Sequence, residues 1–171
     1  MGQYYLIVNL DKKQYIYPHR FGDGLKLLEF GPSPCGTMCG LALLLSNGNG
    51  RGGGDLRDAD DSTVVGSWAG DRIVVAGDYG DEGKWLENVP VEELAVVAQN
   101  TFTEGYQVPE HVNLYAYANA KFRDVSDEII REMLKDQYLR EELQKTAEDH
   151  RNCWASKDGP LAAALKELLA A

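Results

Sequence analysis

Two kinds of hydrophobic spacing divide this chain of 171 residues: short β-branched and aromatic runs fill the first half, and helical periodicity fills the second. Tyr4 to Leu10 is such a run. Asp11-Lys12-Lys13 supplies a polar turn and Gln14 to Tyr17 resumes the pattern, which predicts a β-hairpin ended by Pro18. Thr63 to Trp68 and Arg72 to Gly77, joined by Ala69-Gly70-Asp71, predict a second hairpin on the same grounds. Helices are expected over Thr37–Ser46, with Met38, Leu41, Leu44 and Leu45 inward, over Val91–Gln99 after Pro90, and over Leu114–Phe122. Ser126 is expected to cap one long helix striped by Ile129, Ile130, Met133, Leu134 and Tyr138, with its end past Leu143 in solvent. A last helix is expected to begin near Asp158-Gly159-Pro160. Phe21 to Phe30 reads equally as a helical turn or a short strand. Strands first and helices after, with no repeat or linker, predict an α+β fold in one compact globular domain spanning 1–171.

A chain of this length buries roughly two thirds of its unfolded surface, so folding needs no cofactor, metal or disulfide, and none is expected. The start, Met1-Gly2-Gln3-Tyr4-Tyr5, lacks a basic segment followed by an apolar run, and the longest apolar stretch, Leu41 to Leu45, is far below membrane-spanning length. A cytoplasmic chain without membrane contact is therefore expected. Its cysteines, Cys35, Cys39 and Cys153, are expected as reduced thiols packed as small apolar residues. Cys35 and Cys39 at i, i+4 share a helical face, but no neighbouring Cys or His completes a zinc set.

The net charge of −10 is concentrated in the middle: residues 1–54 carry +2, 55–110 carry −10 and 111–171 carry −2. A field of that sign repels phosphate backbones and disfavours nucleic acid, while suiting a cation or a basic protein.

Gly48 to Asp61 is rich in Gly and Asp, has no periodicity, and is longer than loops usually are without a function. Its Gly48-Asn49-Gly50-Arg51-Gly52-Gly53 matches G-x-G-x-x-G in letters, but no helix follows to aim amides at a pyrophosphate. An anion-holding loop built on Arg51 is the looser reading. Asp55, Asp58, Asp60 and Asp61, and the later Asp78, Asp81 and Glu82, could join Asp71 around a hard cation, although turn residues of this kind are usually solvated. Pro18-His19-Arg20-Phe21-Gly22-Asp23 sets an imidazole, a guanidinium and a carboxylate at a strand end, where acid–base work and anion holding are possible; an Arg20–Asp23 ion pair pinning the turn is the bland alternative. Trp68, Trp85 and Tyr79 could wall a flat ligand.

The opening Met-Gly-Gln-Tyr-Tyr, the stretch Pro18 to Phe30, the loop Gly48 to Asp55 and the segment Val65 to Arg72 together resemble a family of uncharacterised proteins from bacterial and phage genomes, across about the first half of the chain. The resemblance implies a prokaryotic or phage cytoplasmic setting and carries no activity.

Three functions remain open on the sequence. The first is a non-enzymatic binding protein that engages a small ligand or a protein partner through the glycine-rich loop and the second hairpin, with His19, Arg20, Asp23, Arg51, Asp55, Trp68, Asp71 and Arg72 as ligand-binding residues. The second is a small metal-assisted hydrolase or transferase acting on a phosphorylated substrate, with His19 or Asp71 as acid–base, Arg20 or Arg51 holding the anion, and Asp78 or Asp81 toward a metal. The third is an acidic protein that binds or inhibits a basic, nucleic-acid-binding partner. Oligomeric state and strand order are not legible.

Overall fold

A computed structural model describes residues 2–31, 33–48, 56, 61–101, 109–149 and 159–170. The expected first hairpin is present as β1 (Tyr5–Asn9) and β2 (Gln14–Ile16). Its turn is organised by Asn9, whose buried side-chain oxygen accepts the N–H groups of Asp11 at 3.0 Å and Lys12 at 2.9 Å. An Asx turn of this kind satisfies donors that the reversal would strand. β3 (Ile73–Gly77) runs antiparallel to β1 on its other side, so that Ile7 lies opposite both Ile16 and Val75. β4 (Arg123–Asp124) pairs parallel to β2, giving a mixed sheet in the order β3-β1-β2-β4.

The second hairpin is not formed. β3 is a strand, but Thr63 to Trp68 is a series of turns. Gly66 sits at φ 75, in the left-handed region, and a Cβ there would lie 2.5 Å from the Ser46 carbonyl oxygen. The segment instead coils over the end of α1 (Thr37–Leu45): the Gly66 N–H donates to Leu43 O at 2.9 Å and the Trp68 N–H to Leu44 O at 2.8 Å. These bonds satisfy carbonyls that a helix C-terminus leaves unpaired. Of the β-branched residues that suggested a strand, Thr63 is exposed and Val64 is partly buried against the core, and none is paired in the sheet.

Both faces of the sheet are covered, which follows from period-two alternation of a strand buried on each side. Ile7 and Ile16 face one core, shared with α1, α4 (Ser126–Met133), α5 (Gln137–Glu148) and α6 (Pro160–Ala170). Leu6, Val8, Tyr15 and Ala76 face the other, shared with α2 (Val91–Thr101) and α3 (Leu114–Lys121). α1 meets α4 through Gly40, where an added Cβ would come within 3.1 Å of Ile129 and Phe21. With one strand pair and β3 in the first half and most helix in the second, the fold is α+β.

The single long helix expected after Ser126 is two helices. Asp136 caps α5, its carboxylate accepting the Leu139 N–H at 3.1 Å, and Arg140 Nε donates back to Leu134 O at 2.8 Å. A side chain that accepts an amide of a new first turn favours a fresh helix start at that point over continuation of the preceding helix. The break turns Leu139, Leu143 and Ala147 into the core, so the end of this segment is not in solvent. Nor does Ser126 act as the cap of α4; its own N–H donates to Asp124 Oδ1 at 2.9 Å, and its Oγ accepts the Tyr17 N–H at 2.8 Å, extending β2 toward α4. Phe21 to Phe30 forms no strand: the 3-10 turn Pro18–Phe21 leads into it and a single 3-10 turn, Leu27–Glu29, lies within it, which is the helical-turn alternative. No helix among the described residues is long and apolar enough to cross a membrane.

Candidate functional site

The register of the sheet separates the residues the sequence singled out. Asp71 and Arg72 precede β3 at the end where β1 turns into β2, whereas His19, Arg20 and Asp23 follow β2 at the opposite end. Arg51 and Asp55, with the rest of the glycine-rich loop apart from Gly48, Leu56 and Asp61, lie outside the described residues.

At the turn end, Arg72 donates to Asp11 through its backbone N–H at 2.7 Å, Nε at 2.8 Å and Nη2 at 2.6 Å. Asp71 accepts from Lys12 Nζ at 2.6 Å and Asn9 Nδ2 at 2.8 Å. The Arg72 hydrogen bonds hold the Asp11 carboxyl below its usual range, and those from Lys12 and Asn9 do the same for Asp71. Trp68 is fully buried beside them, its Nε1–H donating to Gln14 Oε1 at 2.7 Å, so its ring is core and not the wall of an open site.

At the other end, Pro18 opens a 3-10 turn and Gly22 closes it. The His19 ring is buried against Tyr17, with centroids 5.2 Å apart, and burial pushes its imidazole below the ordinary value. Arg20 is ion-paired across 3.3 Å with Asp127 on α4 rather than with Asp23. Asp23 accepts from both the Thr37 N–H and the Thr37 hydroxyl at 2.7 Å, which anchors the first turn of α1. Burial raises its carboxyl to about 6 although both hydrogen bonds oppose the shift. The expected Arg20–Asp23 pair is thus replaced by two ties, one to each neighbouring helix.

The acidic residues after β3 do not gather either. Asp78 accepts the Tyr4 N–H at 2.9 Å, Asp81 pairs with Lys84 at 3.3 Å, and Glu82 meets His111 Nδ1 at 2.9 Å. Among the described residues, no group of three or more His, Cys, Asp or Glu side chains is arranged to hold a metal ion.

What local sequence did not indicate is the outer edge of β3. The Leu10 N–H donates to Arg72 O and the Asp78 N–H to Tyr4 O, so even-numbered residues of this strand bond to β1 and the N–H and C=O groups of Ile73, Val75 and Gly77 point away from the sheet. Val75 is 43% exposed, and among the described residues neither its N–H nor its C=O has a hydrogen-bond partner. A cleft of about 280 Å³ runs along this edge. Val74, Val75, Ala76 and Gly77 all line it; because successive strand residues face opposite ways, four in a row mark the edge and not a face. Gln3, Tyr5, Asn113 and Leu114 line it too, as do Asp81, Lys84 and Trp85.

Trp85 is the unusual member. It is 51% exposed at φ 70, a conformation that costs a bulky L-residue roughly 1–2 kcal/mol. The segment is held on both sides of the ring: the Gly83 N–H donates to Val112 O at 2.9 Å, the Leu86 N–H to Gly83 O at 3.0 Å, and Leu86 is buried. Lys84 Nζ lies 5.5 Å from the Trp85 ring centroid, within cation–π range. A Cβ at Gly77 would meet the Gln3 amide nitrogen at 1.9 Å, the movable end of a side chain that also lines the cleft, so a larger residue there would displace Gln3. Tyr79 is also exposed at 66%, so two of the three aromatic residues expected to wall a ligand are open to solvent.

No family model matches the chain, and no match is found among curated proteins or among solved structures.

Proposed function

We propose that this chain is a non-enzymatic binding protein that takes an extended, basic segment of a partner protein along β3, as an added antiparallel or parallel strand. The observation that carries the reading is the pair of outward-facing, unpartnered Val75 backbone groups in a cleft walled by an exposed, conformationally strained tryptophan. Main-chain bonds to such an edge supply affinity, and pockets for alternate side chains supply selection. An open apolar edge without Pro or Lys is a liability that soluble proteins usually blunt, so leaving one uncovered favours use. Charge favours a basic occupant only through the surrounding sequence: Asp81 and Lys84 line the cleft as an ion pair, and Asp78, Glu82 and Glu87 lie beside them in sequence, in the third of the chain that holds −10.

The metal-assisted hydrolase or transferase is less well supported. Its candidate groups Asp71 and Arg20 are engaged in separate ion pairs at opposite ends of the sheet, and Asp81 is paired with Lys84. A small ligand would have to be held in a space near the lower limit of ligand pockets.

The test is titration with a short peptide of alternating valine and lysine, followed by tryptophan fluorescence and calorimetry. Saturable binding is expected, with the fluorescence change lost in Trp85→Phe. Val75→Pro should abolish binding and leave the fold intact, because the N–H it removes faces outward and serves no ladder bond. Equal binding by wild type and Val75→Pro, or by a peptide N-methylated at alternate residues on both registers, would contradict strand addition.

A further inference from the structure

We propose that Asp81, Lys84 and Trp85 form a recognition site for one arginine side chain of the bound segment, and that Lys84 occupies this site in the free protein as an internal stand-in. The site rests on the reading of β3 as a strand-addition edge. Lys84 Nζ lies 3.3 Å from Asp81 Oδ2 and 5.5 Å from the centroid of the Trp85 ring, and all three residues line the cleft. A cation is therefore already held there between a carboxylate and an indole, the two kinds of group that take a guanidinium. As a whole the Asp81–Lys84 pair is neutral, so what it offers an incoming strand is not net charge but a position in which a cation is exchanged for a better one.

The backbone places the stand-in. Side chains of adjacent residues point apart in a strand and do not face one another on a helix. Here Gly83 at φ 72 and Trp85 at φ 70 are both left-handed, and the chain curls around Lys84 so that its ammonium comes back over the ring of the next residue. The curl is anchored on both sides, by the Gly83 N–H on Val112 O at 2.9 Å and by the buried Leu86, so Trp85 keeps its place when Lys84 leaves. The hold on Lys84 is slight: its side chain is 55% exposed and that of Asp81 75%, and ion pairs so open to water are weak. Its distance from the ring is close to the limit of about 6 Å for a cation–π contact. Arginine fits better, because a flat guanidinium stacks on an indole while its fork meets a carboxylate, which a compact ammonium cannot do.

The core on that side of the sheet decides which side chains of the added strand reach the site. Leu86 and Leu114 pack with Ala76 and Val74, so the segment that carries Trp85 belongs to the face of β3 that looks toward α3. An added strand alternates its side chains between the two faces. An arginine is therefore read on one face of that strand and ignored on the other.

The experiment is a thermodynamic cycle on the full chain, measured by calorimetry. One probe is the alternating valine–lysine peptide with its central lysine replaced by arginine, and the other carries citrulline, the neutral isostere, at that position. Wild type should bind the arginine peptide about threefold or more tighter than the citrulline peptide. Lys84→Met, which keeps an apolar stem and removes the competing ammonium, should widen that ratio by about threefold again, and Asp81→Asn should shrink it toward one. A gain in Lys84→Met of equal size for both peptides would be a general charge effect and would overturn the stand-in. Equal affinity of wild type for the two peptides, with Val75→Pro still abolishing both, would overturn the arginine site and leave strand addition intact. Binding that survives Val75→Pro would overturn strand addition itself. A second arm needs no peptide: methylguanidinium chloride is compared with sodium chloride at equal ionic strength while the Trp85 indole resonance, identified by its loss in Trp85→Phe, is followed. Methylguanidinium should shift it in Lys84→Met at concentrations that leave wild type unmoved. The proposal is overturned if the resonance moves equally in both proteins or in neither.

Discussion

The two sides of β3 are made of the same backbone and are treated in opposite ways. On its inner side, and at the turn from which it starts, every capable group is engaged: the ladder to β1, the Asp11–Arg72 and Lys12–Asp71 pairs, and the Asn9 amide between them. On its outer side the Val75 peptide groups have no partner among the described residues, and Trp85 stands beside them at positive φ. The charged residues most suggestive of chemistry therefore hold the sheet together, whereas the place best suited to recognition is marked by uncharged backbone. Charge in a sequence reports capability, and only the fold reports whether that capability is already used.

Paired tryptophans give the largest contrast. Trp68→Ala removes a fully buried ring and the donor to Gln14, and should cost about 3–5 kcal/mol in chemical denaturation. Trp85→Gly should leave stability within about 1 kcal/mol, since relief of the left-handed backbone offsets lost ring contacts, yet remove the fluorescence response to the valine–lysine peptide. Similar losses for the two variants would break the distinction between closed core and open cleft.

Asp23 sharpens it through pH. Its folded carboxyl is raised to about 6 from 3.8, so the stability it contributes is fully present below the unfolded value and is lost as pH rises through about 6. Unfolding measured from pH 3 to 8 should show wild type losing on the order of 2–3 kcal/mol relative to Asp23→Asn across that window. The buried His19 titrates in the opposite sense, losing stability as pH falls, and cancels in the difference. A flat difference would mean that the carboxyl is not buried as described. Asn9→Ala should cost about 2 kcal/mol, because it strands the Asp11 and Lys12 amides and frees Asp71. Arg72→Ala should have the smallest effect of all, a slight fall in melting temperature that disappears at high salt, since this ion pair is largely exposed.

Most elements were legible where propensity and burial agree. The first hairpin, α1, α2, α3 and α6 all lie within a few residues of the expected ranges, and Pro18, Pro90 and Pro160 stand at the boundaries they suggested. The failures have local physical causes. Thr63 to Trp68 has strand composition, but the left-handed Gly66 and the unpaired carbonyls of α1 bind it elsewhere. The long helix divides because Asp136 caps a new turn, a signal present in the letters but masked by a continuous apolar stripe. The cleft is only half visible in the sequence: Trp85 stands out as an aromatic wall residue, while the edge it lines depends on β3 pairing outside β1, a fact of strand order that no local pattern encodes. Arg20 and Asp23 are close enough in sequence to suggest a pair, but their partners, Asp127 and Thr37, lie farther along the chain.

Residue-resolved amide exchange of the free protein, repeated with the valine–lysine peptide at saturation, tests strand addition most directly. In the free protein, Val74 and Ala76, bonded to β1, should exchange slowly, and Ile73 and Val75 should exchange fast. With peptide, Ile73 and Val75 should become protected while Val74 and Ala76 change little. A Val75 amide already protected in the free monomer, or one that stays fast with peptide bound, would contradict the account.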